Sequence, residues 1–336
     1  MGKVAVMGGG SFGTAIASVM SDAGQDVTIW TIEPEVVEEI NAHHTNAKYH
    51  PGVSLPASLR ATGEETEALR DASIIVLAIP AQLVGENLRR WQPLFHGSPL
   101  VVSVMKGIEL GTMRRMSQVI EQDGGIAKDR IAVISGPNLA REIIQRQPAA
   151  TTVASSNEAA AKQLQGALTT DYFRPYFTTD VVGAEIGGSV KNVIALANGM
   201  AVGLGYGDNS QSSLITRGLA EMSRLGAALG ANPMTFLGLA GMGDLIATCT
   251  SPLSRNRTFG ENLGKGLTVD ETVAITKQTA EGVKSCRPIL ELAQSAGVEM
   301  PITEQVVRVV SEGMSPSQML GALMSRSTKA EQGMEG

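Results

Sequence analysis

Residues 3–13 read KVAVMGGGSFG, and this stretch decides the fold. The apolar run Lys3–Met7 is typical of a strand that is buried on both faces of a parallel sheet. Gly8, Gly10 and Gly13 follow it as a GxGxxG pattern. In this pattern the first glycine makes a tight turn, the second lets a pyrophosphate approach the backbone, and the third lets the helix pack on the strand. We therefore predict a dinucleotide-binding loop here.

The residues after the loop strengthen that prediction. Residues 14–23 are rich in small side chains and compatible with a helix, and Gly24 is placed to end it. Such a helix offers free N–H groups and the positive end of its dipole to a diphosphate. Asp26–Trp30 (DVTIW) predicts a second strand, and Pro34 begins a helix that runs through Ile40. A glycine-rich turn without a ligand is the weaker alternative, because the whole strand–loop–helix–strand order is present.

The rest of the first half keeps alternating strands and helices. This alternation indicates an α/β Rossmann fold, a doubly wound parallel sheet with helical crossovers. Residues 43–62 are predicted to form a polar loop. Further strands are predicted at residues 73–79, 100–105 and 130–134, with candidate edge strands at 151–154 and 172–178.

From about Val181 the pattern becomes helical, with no convincing strand. Apolar residues from Ile215 to Leu229 recur at three- and four-residue steps, as on one face of a helix. Other helices are predicted at residues 269–275, 283–296, 303–312 and 315–324, the last capped by Ser315. We therefore divide the chain into a dinucleotide-binding Rossmann domain at 1–180, an all-α substrate and catalytic domain at 181–325, and a frayed tail at 326–336.

Composition restricts the class of protein. The chain has 336 residues, of which 43% are hydrophobic and 18% charged, which is enough for two cores and excludes a disordered chain. The formal net charge of −6 argues against a general nucleic-acid binder. The N-terminus lacks the apolar core of a signal peptide, and the longest uncharged apolar stretch is shorter than the ~20 residues of a membrane span. We expect a cytoplasmic protein that is not embedded in a membrane.

The cysteines and histidines do not form a metal-binding pattern. Cys249 and Cys286 lie far apart without CxxC spacing, which predicts reduced thiols. No spaced histidine pair typical of a zinc site occurs. Ordinary surface positions are expected for all four histidines: His43, His44, His50 and His96.

The choice of cofactor depends on the end of the second strand. Glu33 could bind the ribose hydroxyls there, which favours NAD, or it could be a solvated residue at the start of the next helix. No Arg or Lys stands near Glu33 in the sequence to meet a 2′-phosphate. Both NAD(H) and NADP(H) therefore stay open.

Several polar residues stand where an α/β enzyme places its chemistry. Lys106 follows one predicted strand and Gly136 follows the next, and open sheets bind ligands at the carboxyl ends of their strands. Lys191 lies among small and apolar residues, so it is either a snorkelling surface lysine or a buried, reactive one. Asp244 is the carboxylate of a glycine-rich segment. Residues 254–256 (Ser-Arg-Asn) could bind a phosphate, although a capped and solvated helix start has the same composition.

Together these segments resemble the bacterial-type NAD(P)-dependent sn-glycerol-3-phosphate dehydrogenases. The resemblance covers residues 4–324, and several motifs in the right order are far more specific than the glycine pattern alone. The segments are GGGSFGTA at 8–15, KGIE at 106–109, SGPNLARE at 135–142, EIGGSVKNVIALANG at 185–199, GLAGMGDLIATCTS at 238–251, SRNRTFG at 254–260 and AEGV at 280–283.

The resemblance implies a Rossmann domain, a helical substrate domain and an active site between them. It implies reduction of dihydroxyacetone phosphate to sn-glycerol 3-phosphate and the reverse reaction, with NAD(H) or NADP(H), supplying glycerol 3-phosphate for phospholipid synthesis. The small-molecule substrate would be bound without nucleic acid, and family resemblance alone suggests a homodimer. A second lysine nearby would lower the pKa of Lys191, the expected proton donor, toward a useful range.

The resemblance also implies residue roles by position. The catalytic matches are Lys191, Lys106, Asp244, Asn192 and Thr248. The substrate-binding matches are Lys106, Gly136, Lys191, Asp244, Ser254, Arg255 and Asn256. The predicted cofactor-binding residues combine the three glycines of the loop and Glu33 with further positions that match the family. They are Gly8, Gly10, Ser11, Phe12, Gly13, Glu33, Tyr49, Lys106, Ala140, Arg255, Thr279 and Glu281.

Two other functions stay open at this point. A 3-hydroxyacid or 6-phosphogluconate dehydrogenase has a similar architecture, but its lysine is typically followed four residues later by Asn, where this chain has Ala195. A protein that senses NAD(H) without turnover would keep the glycine loop and would need neither Lys191 nor Asp244. The chain also departs from the family with Asn138 in place of Ser or Thr, and with His50 in place of Leu.

Overall fold

A computed structural model of the chain describes residues 2–276 and 280–327. Within them one sheet has the strand order β3-β2-β1-β4-β5-β6-β7-β8. β2 and β3 are added on one side of β1 and β4 to β8 on the other, so the switch point of the topology lies between β1 and β4. The strands are β1 (Lys3–Met7), β2 (Asp26–Trp30), β3 (Arg60–Thr62), β4 (Ile74–Leu77), β5 (Leu100–Ser103), β6 (Ile131–Ser135), β7 (Ala149–Ala154) and β8 (Phe173–Thr178).

The predicted α/β Rossmann fold is confirmed, with corrections in detail. β1 and β2 have the predicted bounds, whereas β3 lies inside the stretch that was expected to be loop, paired to β2. β7 is an interior strand rather than an edge strand, and its pairing with β6 is antiparallel. A five-residue helix, Ala140–Ile144, connects these two strands. It rises roughly 7.5 Å, too little to return the chain along a strand about 16 Å long.

Helices cover both faces of this sheet and then form the second half of the chain. In the first half they are α1 (Ser11–Asp22), α2 (Pro34–His43), α3 (Glu65–Leu69), α4 (Val84–Trp91), α5 (Met116–Gly124), α6 (Ala140–Ile144) and α7 (Glu158–Leu168). From residue 181 they are α8 (Val181–Gly203), α9 (Asp208–Ala228), α10 (Asp244–Thr250), α11 (Arg255–Gly264), α12 (Val269–Thr276), α13 (Glu281–Ser295), α14 (Pro301–Glu312) and α15 (Pro316–Met324).

The predicted helices are confirmed, with ends that move by a few residues. The first begins at Ser11 rather than residue 14, directly after the glycine loop. Ser315 caps α15 as expected, its Oγ accepting from the N–H of Gln318. The described residues hold no helix that is long and apolar enough to cross a membrane. Most of the expected frayed tail, residues 328–336, lies outside the described residues.

Helix α8 is the centre of the helical half, and its contact with α11 is backbone against backbone. A Cβ atom added at Gly199 would lie 2.1 Å from the carbonyl oxygen of Arg257, and one added at Gly203 would lie 2.2 Å from that of Glu261. On α11, Gly260 and Gly264 meet α8 in the same way. These four glycines are spaced by four residues on each helix, so they form one facing stripe along which the two helices approach closely.

A buried carboxylate joins α9 to α14. Met300, which precedes α14, has no side chain that could cap the helix. Glu221 of α9 takes that part, accepting hydrogen bonds from the N–H groups of Ile302 (2.6 Å) and Thr303 (3.3 Å). It therefore satisfies backbone donors that the start of a helix otherwise leaves unpaired. Burial raises the pKa of Glu221 to about 7, although these donors oppose the shift.

Glu221→Gln should remove part of the pH dependence of stability. A carboxyl whose pKa is raised from 4.5 to about 7 stabilises the fold fully below pH 4.5, and this contribution is lost as the pH rises through 7. Between pH 5.5 and 8 the wild-type free energy of unfolding should fall by on the order of 2 kcal/mol more than that of the variant. Urea titrations at both pH values measure this, with Glu312→Gln, at an exposed position of α14, as control. Equal pH dependence in wild type and Glu221→Gln would contradict the assignment.

Candidate active site

The carboxyl edge of the sheet carries the first two predicted site residues. Lys106 follows β5, and Gly136 follows β6 with φ +155°. A Cβ at Gly136 would lie 3.1 Å from Thr151, so glycine lets this turn pack against β7. The ammonium of Lys106 lies 3.3 Å from the carbonyl oxygen of Gly136. The two residues are thus brought together as expected for neighbouring strand ends.

Helix α8 places Lys191 against the same edge. Two glycines let the helix approach this closely. A Cβ at Gly187 would lie only 2.2 Å from the carbonyl oxygen of Ala240, and one at Gly188 only 2.9 Å from Oγ of Ser135, so a larger residue would force the helix away. Lys191 is 7% exposed, so it is the buried lysine of the two alternatives and not a snorkelling one.

Asp244 unites the two lysines. It is the first residue of α10, after a π-helical turn at Leu239–Gly243, and it is 1% exposed. Its Oδ2 accepts from Nζ of Lys106 at 2.5 Å, and its Oδ1 forms a close ion pair with Nζ of Lys191. Thr248, one turn further along α10, lies with its Oγ1 3.0 Å from the same Lys191 nitrogen. Four of the five predicted catalytic residues therefore form one buried cluster.

The pKa of Lys191 is lowered to about 8. Burial is the main cause, because desolvation disfavours the charged ammonium. The negative charge of Asp244 opposes the shift, and the positive charge of Lys106 adds to it. The expected effect of Lys106 on the pKa of Lys191 is thus present but secondary to burial. A group with a pKa near 8 can give up and take back a proton near neutral pH.

The fifth catalytic match, Asn192, joins a second polar cluster. Its Oδ1 accepts from Nδ2 of Asn256 at 2.9 Å, and its Nδ2 lies 3.3 Å from a carboxylate oxygen of Glu281. Oδ1 of Asn256 accepts from the N–H of Gly282 at 2.8 Å. Because Asn192 directly follows Lys191 on α8, this cluster continues the lysine cluster.

The start of α11 forms one wall of the site. Ser254 is its N-cap, with Oγ accepting from the N–H of Arg257 at 3.2 Å, which is the capping role named as the alternative. Ser254 and Asn256 are nevertheless buried while Arg255 between them is exposed, so this capped helix start is solvated only in part. Arg255 lines a cavity of about 160 Å³ together with Phe259 and Ala280.

The glycine loop has the shape that a dinucleotide requires. Gly8 has φ +132°, and a Cβ there would lie 2.4 Å from the carbonyl oxygen of Ala78. A Cβ at Gly13 would lie 1.9 Å from the carbonyl oxygen of Gly8, so both positions need glycine to fold. At Gly10 an added Cβ would meet nothing within 4 Å. The space over Gly10, at the N-terminus of α1, fits the diphosphate of NAD(H) or NADP(H).

A buried polar brace lies beneath the loop. Nδ2 of Asn46 donates to the carbonyl oxygen of Gly9 (3.1 Å) and to Oγ1 of Thr14 (2.9 Å). The ring of His50 lies 2.8 Å from the carbonyl oxygen of Ser11. His50 is 2% exposed, so the expectation of a surface histidine is wrong for it, and burial lowers its pKa. The sequence gives no sign of this brace, which depends on how residues 43–62 fold back.

Glu33 lies three residues after the end of β2 and is the N-cap residue of α2, so it is close to the strand end and also at the start of the next helix. Its Oε2 accepts from the hydroxyl of Tyr49 at 2.8 Å, and its Oε1 forms a close ion pair with Lys48. The expectation that no cation is near Glu33 is therefore wrong. Lys48 is 15 positions away in the sequence and is brought back by the same loop.

The other predicted cofactor residues lie around these clusters or outside the described part. Phe12 and Ala140 are partly buried and pack on the Rossmann core. Thr279 lies outside the described residues. In the described ranges no group of three or more His, Cys, Asp or Glu residues could hold a metal ion. Cys249 and Cys286 are free, and burial raises the pKa of their thiols to about 12 and 11.

The sequence analysis also missed a set of buried hydrogen bonds that positions α8. Glu185 accepts hydrogen bonds from Arg115 (2.5 Å), from the N–H of Ser117 (2.6 Å) and from its hydroxyl (2.7 Å). The contact joins the start of α5 to α8 six residues before Lys191. A glutamate in the motif EIGGSVKN was the available signal, because a charged residue beside two glycines on an apolar helix is seldom buried without a partner.

Comparison with known proteins agrees with this geometry. A model described as NAD-dependent glycerol-3-phosphate dehydrogenase N-terminus matches residues 3–161, and its C-terminus counterpart matches residues 180–321. A protein of Streptomyces avermitilis named glycerol-3-phosphate dehydrogenase (NAD(P)+) is 58% identical, over 98% of each chain. A protein of Corynebacterium diphtheriae with the same name is 54% identical, over 98% of this chain and 100% of its own length.

Solved structures give the same result. The crystal structure of glycerol-3-phosphate dehydrogenase from Coxiella burnetii is 37% identical and superimposes with a TM-score of 0.91, covering 97% of this chain and 99% of that one. The enzyme of the same name from Saccharomyces cerevisiae is 29% identical with a TM-score of 0.83, covering 95% of this chain and 98% of that one.

Two alanine substitutions in the glycine loop should separate cofactor binding from folding. Gly10→Ala should leave the thermal midpoint within a few degrees, because its Cβ meets no protein atom, but it should weaken NADH binding about tenfold or more. Gly13→Ala should instead lower the midpoint, because its Cβ would overlap a backbone oxygen. Thermal melting and NADH fluorescence titration measure both effects. Unchanged NADH affinity in Gly10→Ala would show that the loop does not hold the diphosphate.

Proposed function

The chain belongs to the NAD-dependent glycerol-3-phosphate dehydrogenase family, and on that premise we propose that it interconverts dihydroxyacetone phosphate and sn-glycerol 3-phosphate with NAD(H) or NADP(H). The observation that carries the proposal is the buried cluster of Lys106, Asp244 and Lys191 at the carboxyl edge of the sheet. Family membership favours this reaction over those of the 3-hydroxyacid and 6-phosphogluconate dehydrogenases. An NAD(H) sensor would not need a buried lysine and a second, partly buried lysine on one carboxylate.

Lys191 serves as the proton donor in the direction of reduction. Negative charge develops on the carbonyl oxygen as a ketone is reduced, and a positioned ammonium stabilises it. The protonated Lys191 donates its proton to that oxygen, and in the reverse direction the neutral amine accepts the proton from the alcohol. Its pKa of about 8 places both states within reach near neutral pH.

Asp244 and Thr248 hold Lys191 in place. Asp244 keeps the lysine partly charged despite its burial, and Thr248 fixes the direction of Nζ. Lys106, paired to the other carboxylate oxygen, contacts both substrate and nicotinamide. The nicotinamide supplies the hydride when the cofactor is bound.

The start of α11 binds the phosphate of the substrate. Ser254, Arg255 and Asn256 provide a hydroxyl, a guanidinium and an amide within a single turn, and Gly136 supplies a backbone contact. Asn192 connects this turn to the lysine cluster through Asn256.

On the cofactor side, the glycines of the loop with Ser11 and Phe12 hold the diphosphate. Glu33 and Tyr49 hold the adenosine ribose, with Ala140, Thr279 and Glu281 as the remaining cofactor positions.

The assembly and setting are also part of the proposal. We divide the chain at residue 180 into a dinucleotide-binding and a substrate domain. We propose a homodimer, because the family relation suggests one and the apolar side chains of Met234, Leu237 and Ile246 are exposed. Light scattering should then give twice the 35.1 kDa chain mass. The family relation supports the proposal that the protein acts in the cytoplasm and supplies glycerol 3-phosphate for phospholipid synthesis.

The reaction is tested by following NADH and NADPH oxidation with dihydroxyacetone phosphate. We expect consumption with this substrate and at least hundredfold less with unphosphorylated dihydroxyacetone, because the donors of α11 would have no phosphate to bind. Absence of turnover with both cofactors, in a protein that binds NADH, would refute the proposal.

The role of Lys191 is tested by the pH dependence of kcat. The reduction rate should fall as the pH rises above about 8, because the donor loses its proton. Asp244→Asn should move this fall to lower pH, since it removes the charge that raises the pKa of Lys191. Lys191→Met should lower kcat by about 10²–10⁴ and abolish the fall. Lys162→Met, an exposed lysine paired to Glu158, is the control. A wild-type pH profile in both site variants would contradict the assignment.

A further inference from the structure

The carboxylate of Glu33 is held by two side chains from a distant segment. The hydroxyl of Tyr49 donates to Oε2 at 2.8 Å, and Lys48 pairs with Oε1. Lys48 also lies 3.4 Å from Oε1 of Glu35. Glu33 is 21% exposed at its side chain and Lys48 is 48% exposed, so the group is open to solvent on one side. A ligand could therefore reach both charges.

The segment that carries Lys48 and Tyr49 is fixed on both sides. Asn46 is bonded to the carbonyl oxygen of Gly9, and His50 is bonded to that of Ser11. Within the segment, the N–H of His50 donates to the carbonyl oxygen of Asn46 at 2.8 Å. The turn is thus attached to the glycine loop before and after Lys48, which places its side chain at the end of β2.

The charges at this place differ in their effect on the two cofactors. Glu33, Glu35 and Lys48 sum to one negative charge around the end of β2. A ribose 2′-hydroxyl can donate to the Glu33 carboxylate, as an acidic residue at this position commonly allows. A 2′-phosphate carries roughly −1.5 to −2 charges at neutral pH. Two carboxylates would repel it, unless Lys48 turned from Glu33 to the phosphate.

We propose that Glu33 and Lys48 together select the cofactor. Glu33, oriented by Tyr49 and Lys48, accepts the ribose hydroxyl and gives a preference for NAD(H). Lys48 is the cation that allows NADP(H) to bind, by exchanging its pairing with Glu33 for the 2′-phosphate. This inference rests on the proposed function, because it requires that a dinucleotide binds at the glycine loop.

Binding measurements test the proposal without turnover. NADH and NADPH are titrated by fluorescence, and 5′-AMP and adenosine 2′,5′-bisphosphate, which differ only in the 2′-phosphate, are titrated by calorimetry. The quantity compared is the ratio of the Kd of the phosphorylated ligand to that of its partner. For the wild type this ratio should be about 10 or more in both pairs.

Three variants should move this ratio in different directions. Lys48→Met should raise it about tenfold by weakening the phosphorylated ligand, and should reduce the salt dependence of NADPH binding. Glu33→Gln should lower it about tenfold, because repulsion of the phosphate is removed. Tyr49→Phe should lower it by a few fold through weaker NADH binding. Lys162→Met, a lysine of similar exposure with a carboxylate partner, should leave it unchanged.

The opposite results are equally clear. A ratio that moves less than about twofold in both Lys48→Met and Glu33→Gln, or Kd values that change by the same factor for both ligands, would overturn the proposal. So would a wild type that prefers NADPH or binds neither dinucleotide. Because Lys48 is half exposed, its variant should fold, and a thermal midpoint checks this.

The failure of this inference can be told apart from failure of the proposed function. Turnover of dihydroxyacetone phosphate is measured on the same preparations. Turnover with an unmoved binding ratio would refute the selection mechanism alone. The expected ratios without turnover would leave the selection mechanism standing and refute the dehydrogenase activity.

Discussion

The close contact between α8 and α11 is the constraint on which the rest of the helical half depends. Two glycines on each helix let the backbones meet, and a methyl group at any of them would overlap a carbonyl oxygen or a neighbouring Cα. This contact sets Asn256 against Asn192, the neighbour of Lys191, and so brings the start of α11, the proposed phosphate-binding turn, next to Lys191. Further along α8, Gly187 packs on Ala240 and so places Asp244. The distances between the site residues thus depend on five glycines, the four between α8 and α11 and Gly187.

The local charge of the site is opposite in sign to the net charge of the whole chain. The chain carries a net charge of −6, yet the cluster at the carboxyl edge of the sheet has two ammonium groups on one carboxylate. Such an arrangement is costly to bury without a further anion. Under the proposed function a phosphorylated substrate would supply negative charge close to this cluster, and the developing oxyanion would add to it. The local charge of this cluster, rather than the net charge of the chain, makes it suited to an anionic ligand.

Sequence patterns predicted the regular elements and the residues on them, and failed where the path of a loop decides the outcome. Lys106 and Gly136 could be placed because strand ends share an edge, and Lys191 stood out as a lone cation in an apolar helix. Lys48, Asn46 and His50 could not be placed, because nothing local shows that residues 43–62 fold back under the glycine loop. β3 was missed for the same reason, since its three residues pair only once β2 is beside them. Glu221 has no local signal either, because a carboxylate on an amphipathic helix is ordinarily solvated.

The pairing of Lys106 with Asp244 spans 138 positions of the chain, and that of Lys191 spans 53. During synthesis on the ribosome both lysines emerge before the carboxylate. Burying Lys191 beside Lys106 without this carboxylate is unfavourable, so the pairing that places α8 against the strand ends is complete only once α10 has been made. The nucleotide-binding sheet can fold earlier from contacts within its own half, as units of larger proteins do. The lysine cluster can therefore close only after α10 has been made, and a chain cut short before α10 would keep a nucleotide-binding sheet without Asp244 to pair with the lysines.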